Sequence, residues 1–157
     1  NVDKRQLITH RYEEAFMLSD HVAVMKEGRI LDWDTAMEVF EHPAILTIAE
    51  YFVHDNQIKG IISKGTFYSD VLTAPALQPD GNYIAIIRPE AIILDTNGMK
   101  FIIIRSSYVG RGFHLSVRYR KTVLHFETDS SIRYETGDEI SLNILMQNVL
   151  FFLDQDQ

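Results

Sequence analysis

Six histidines and no cysteine limit the chemistry open to this chain: imidazole and carboxylate are available, and thiolate is not. His10 follows the short apolar run Leu7-Ile8-Thr9 and stands where a strand would end. His21, His42 and His54 lack the spacing of metal ligands and read as surface histidines. His114, His125 and Glu127 fall on one side of a proposed strand pair, so a zinc site there competes with a plain solvated face. Arg105, Arg111, Arg118, Arg120 and Lys121 form a basic cluster interrupted by Tyr108, Phe113 and Tyr119. On a barrel surface such a mixture can take an oxyanion or RNA, although solvent-facing strand residues or a subunit contact account for it equally. Glu13 and Glu14 are adjacent, so they diverge on a helix and make a poor acid/base pair. Trp33 reads as hairpin packing rather than as a base-stacking platform.

The elements that must hold these residues come in two textures. Before residue 54 the chain reads as helical pieces around a hairpin. A strand is expected at Leu7-Ile8-Thr9, and a helix over 11–20 with Glu13 and Glu14 at the favourable end of its dipole. A β-hairpin follows, Val22–Met25 against Ile30–Trp33, with Gly28 in the turn. Thr35-Ala36-Met37-Glu38 fits a capping box, and Pro43 ends that helix or starts the next. Ile45, Ile48, Ala49 and Phe52 then repeat at helical spacing.

After His54 the helical spacing gives way to short β-type runs: 58–63, 83–88, 91–94, 100–108, 113–119, 122–128, 139–145 and 149–153. Many short strands separated by turn residues suggest a small barrel or sandwich. If Arg120-Lys121 form a two-residue turn, Leu115 faces Phe126 and Val117 faces Leu124. His114, Ser116, Arg118, His125 and Glu127 then share the other side. The weak point of that register is the turn, which lacks the Asn or Gly usually found there.

Composition narrows the field further. Hydrophobic residues make up 46% and charged residues 24%, as in an ordinary globular protein, and no apolar run reaches the roughly 20 residues of a membrane-spanning helix. Net charge is −7. Split near His54, the first part carries 5 basic and 10 acidic residues and the second 10 and 12. Neither part has the basic excess that neutralising a phosphate backbone requires, so nucleic acid is not an expected partner.

One ordered series carries a family resemblance. Leu7-Ile8-Thr9-His10, Glu13-Glu14-Ala15, Leu18-Ser19-Asp20 and Val22 through Ile30 are followed by Thr35, Glu38-Val39-Phe40, His42-Pro43-Ala44 and Ala49-Glu50-Tyr51-Phe52. The series resembles the end of the nucleotide-binding domain of ABC importer ATPases. Residues 57–153 resemble the accessory domain that follows it in maltose, iron(III), polyamine and molybdate importers, on Arg88-Pro89-Glu90-Ala91-Ile92, Tyr108-Val109-Gly110-Arg111-Gly112 and Gly137-Asp138-Glu139-Ile140. That accessory domain, the TOBE domain, is a small barrel like an oligonucleotide-binding fold.

The resemblance implies an α+β chain. Residues 1–54 would be the C-terminal remnant of a P-loop ATPase domain, and residues 55–157 an OB-fold-like all-β barrel with a regulatory role. It implies that His10 is the switch histidine that contacts the γ-phosphate of ATP, and that ATP and magnesium serve the intact parent. Its partners would be a second ATPase subunit and membrane permease subunits, with a small regulatory ligand possible on the barrel, at the inner face of the cell membrane. Arg11 stands where the family often has Asp, and Asp34 and Ala36 where Gly and Pro are common. The sequence contains no G-x-x-x-x-G-K-[ST] loop, no signature motif and no acidic strand end for magnesium. The chain thus reads as a fragment expected neither to hydrolyse ATP nor to carry a cofactor alone, and exposing Ile8, Phe16, Leu18 and Val22. The alternative reading is a free-standing β-domain that binds a small ligand or oxyanion.

Overall fold

The computed structural model describes residues 6–53, 55–129 and 132–154; His54, one of the surface histidines above, lies outside them. The chain is mostly β with few helices and divides into two compact units, Asn1–Phe52 and Val53–Gln157.

In the first unit, helix α1 (Tyr12–Leu18) precedes the antiparallel strands β1 (His21–Lys26) and β2 (Arg29–Thr35), then helices α2 (Ala36–Glu41) and α3 (Leu46–Phe52). The β1–β2 turn is Glu27-Gly28, both at positive φ, which matches the twist of paired strands. Thr35 caps α2 through a bond from the Glu38 N–H to its hydroxyl at 3.3 Å. The reciprocal half of the expected capping box is replaced: the Thr35 N–H is held by Asp34 Oδ1 at 2.7 Å.

Val22, Val39 and Ile48 form the buried centre of this unit, with Phe16, Leu31 and Phe52 packed around them. Tyr12, Phe16, Phe40 and Phe52 interlock with ring centroids 5.2–5.9 Å apart. Each such pair is worth about 0.5–1.5 kcal/mol beyond its buried area, which helps so small a core. Of the residues expected on an exposed apolar face, Val22 is buried and Phe16 half-buried. Ile8 and Leu18 are exposed at 88% and 71%. Leu7-Ile8-Thr9 does not form the expected strand, because no described strand lies beside it to complete a hydrogen-bond ladder.

The second unit has two sheets. The five-stranded sheet runs β11-β6-β3-β4-β5 and the four-stranded sheet β10-β7-β8-β9. The strands are β3 (Gln57–Ser63), β4 (Thr66–Tyr68), β5 (Thr73–Pro75), β6 (Gly81–Ile87), β7 (Ile92–Tyr108), β8 (Phe113–Tyr119), β9 (Thr122–Thr128), β10 (Glu139–Ile144) and β11 (Val149–Leu153). The sheets include a curled half-barrel. Inward residues of both, among them Ile58, Ile62, Phe67, Ile87, Phe101, Leu115, Leu124 and Phe126, form one apolar core.

The β8–β9 pairing follows the register read from the sequence, Leu115 opposite Phe126 and Val117 opposite Leu124. Arg120 supplies the positive φ (51°) that Asn or Gly would otherwise provide. The runs expected at 91–94 and 100–108 form one strand, since both pair with β10: Leu94 faces Leu142 and Lys100 faces Ser141, and residues 95–99 bulge out between them.

Candidate functional site

His10 sits in a turn ahead of α1 whose backbone is fixed on both sides. Thr9 Oγ1 accepts from the Arg11 N–H at 3.0 Å and donates to Glu14 Oε2 at 3.0 Å. The Arg11 guanidinium meets Glu14 Oε1 at 3.0 Å. From α3, the Tyr51 hydroxyl donates to the His10 carbonyl at 3.0 Å. Thr9, Glu14 and Tyr51 therefore hold the main chain, while His10 itself is exposed. Among the described residues its imidazole has no hydrogen-bond partner, so both ring nitrogens are open to a ligand. Glu14 serves the turn and Glu13 points to solvent, so the two carboxylates do not converge.

The other candidates are placed less favourably for chemistry. Trp33 stacks on His21 with centroids 6.2 Å apart and an interplanar angle of 14°, yet remains 63% exposed. His42 is exposed beyond the end of α2. On the second sheet His114 faces Glu127 (3.8 Å) and Ser116 faces His125, with Ser116 Oγ and His125 Nδ1 2.9 Å apart. This face is more than a solvated one, because Ser116 is buried. Among the described residues no group of three or more His, Asp or Glu side chains can hold a metal ion.

The basic cluster is dispersed. Arg111 lies in the β7–β8 connection and Arg120-Lys121 at the opposite end of β8, the Arg120 guanidinium 5.2 Å from the Tyr119 ring centroid. Seven strand residues separate them, about 23 Å at 3.3 Å per residue, too far to grip one small anion. A cleft of about 200 Å³ in the same unit is lined by Val71, Leu72, Met99, Phe101, Leu142 and Met146, with no charged side chain. It does not suit an oxyanion either.

Beyond this geometry, the amino-acid sequence is similar to one class of proteins. The chain is a relative of the ATP-binding subunits of ABC import systems and corresponds to their C-terminal part. It is 30% identical over 133 residues to the Fe(3+) ions import ATP-binding protein of Vibrio cholerae, covering 79% of this chain and 38% of the relative. It is 34% identical over 104 residues to the sulfate/thiosulfate import ATP-binding protein of Caulobacter vibrioides, covering 66% and 31%. A molybdate/tungstate import ATP-binding protein of Pyrococcus abyssi is 34% identical over 95 residues, covering 59% and 27%. The chain thus spans less than half the length of each of these curated relatives. No protein-family profile matches it. Among the described residues no helix is long and apolar enough to cross a membrane.

Proposed function

We propose that this chain is the C-terminal part of an ATP-binding subunit that couples ATP hydrolysis to solute uptake. The carrying observation is the similarity to import ATP-binding proteins over 79% of the chain. Residues 1–54 end the nucleotide-binding domain, a P-loop remnant, and residues 55–157 form its OB-fold-like accessory domain. The working protein pairs two such subunits beneath permease subunits at the inner face of the membrane, and the accessory domain serves dimerisation and regulation.

His10 is the switch histidine in this reading. The backbone that carries the imidazole is pinned by Thr9, Glu14 and Tyr51, and the exposed ring has a nitrogen to donate to a phosphate oxygen. The rest of a nucleotide site does not fit this chain. It has no phosphate loop, and its described carboxylates do not cluster to hold magnesium. The nucleotide, when bound, supplies the terminal phosphoryl group, and this chain contributes one contact to it.

The test compares ATP binding and turnover by this chain with turnover by the product of the same gene when any reading frame upstream of Asn1 is included. Turnover confined to the longer product is expected. Turnover by the 157-residue chain, or by neither, would contradict the proposal.

A further inference from the structure

Asn56 is 1% exposed, although it lies within the polar stretch His54-Asp55-Asn56-Gln57. Its side-chain amide bonds twice to the backbone of one residue. Nδ2 donates to the His125 carbonyl at 2.7 Å, and Oδ1 accepts from the His125 N–H at 2.7 Å. His125 lies on β9, the outermost strand of the four-stranded sheet. The amide therefore takes the place that one residue of a further strand would occupy, a donor and an acceptor meeting an acceptor and a donor.

The backbone of Asn56 turns to the other sheet. Its carbonyl accepts from the Ile87 N–H at 2.9 Å, at the end of the interior strand β6, and Gln57 then opens β3. One residue fastens the edge of one sheet to the interior of the other. The connection continues across the hairpin, since the His125 ring meets the hydroxyl of buried Ser116 on β8 at 2.9 Å.

We propose that Asn56 is a latch. Through it the β8–β9 hairpin holds the segment that enters the β unit, and a displacement of that hairpin is passed to Val53, Asp55 and Asn56. The amide is specific to the task. Aspartate would set a negative charge against the His125 carbonyl, and alanine would leave a buried N–H and C=O unpaired. Loss of the latch would act locally because β9 keeps other anchors. Thr122 Oγ1 donates to Asp70 Oδ1 at 2.9 Å, and Leu124 and Phe126 stay in the core.

Amide hydrogen exchange followed by NMR on the whole chain tests this. Asn56→Ala should speed exchange at the His125 N–H by on the order of tenfold or more, while the Leu115 and Val117 amides of β8 change by less than about twofold. Asn56→Asp should behave like the alanine variant at neutral pH. It should regain protection as the pH falls, at a pH above the ordinary aspartate range, because burial against a carbonyl favours the protonated carboxyl, which can both donate and accept. Ser116→Ala should move the amide resonances of Val53 and Asp55. An unchanged His125 rate, an equal rise along β8, or Ser116→Ala shifts confined to β8 and β9 would each overturn the latch.

Discussion

The ring of Phe67 lies against the backbone of Gly60, in the space a side chain at residue 60 would fill. A Cβ at Gly60 would overlap the Phe67 ring and crowd the Tyr68 carbonyl oxygen. Phe67 is fully buried and packs on Phe151 at 4.9 Å between centroids, so the ring has nowhere to move. Gly60→Ala should therefore destabilise the β unit by about 1–3 kcal/mol, as overpacking does, read as a lower denaturation midpoint. Phe67→Leu should cost less in the alanine background than in the native one. Additive costs would mean that the two residues are not in contact.

The β3–β4 turn points the other way, to a gain. Lys64 is held at φ 50° beside Gly65 at φ 75°, and a left-handed backbone is costly for a lysine. Lys64→Asn makes the Asn-Gly pair that such turns favour. It keeps the bond from the residue-64 N–H to Asp80 Oδ1 at 2.8 Å. The expected gain is about 0.5 kcal/mol in chemical denaturation.

The two sides of β8 should respond differently. Leu115, fully buried, should cost about 2–5 kcal/mol when cut to alanine. His114→Ala, one residue away on the half-exposed side, should stay within about 0.5 kcal/mol. Equal losses would contradict the register.

Lys100 carries a pH signature. The Glu139 carboxylate, 2.7 Å from its ammonium, hydrogen-bonds and attracts the charged form, and so holds Lys100 above the ordinary lysine range. A pKa raised by folding gives a contribution to stability that is complete below the unfolded value, and it fades as pH rises through the folded one. The NMR titration midpoint of Lys100 should fall in Glu139→Gln. An unmoved midpoint would show that the pair is not formed in solution.

Much of the second unit was legible because apolar residues alternate strictly over 113–119, and over 122–128 only Val123 departs from the matching pattern, so one register is favoured. β4 and β5 escaped because each has three residues, too few to show a period, and β5 ends in Pro75. The gap read into β7 was a true interruption that the shared partner β10 bridges, and sequence-local reasoning cannot see a partner 40 residues on. In the first unit, the packing of Phe16 depends on Phe40 and Phe52, and that of Val22 on Val39 and Ile48, all of which lie later in the chain. The fixing of His10 by Tyr51 is likewise non-local, and only its Thr9–Glu14 half follows from nearby spacing. Asn56 gave no signal, because a polar residue in a polar stretch reads as a linker until the strand edge beside it is known.

The most direct test of the central claim is ATP turnover by the protein that includes any reading frame upstream of Asn1, with and without His10→Ala. The account predicts turnover in the native protein and a loss of roughly 100-fold or more in the variant, the scale of removing one preorganised donor. Turnover that survives His10→Ala unchanged would contradict it.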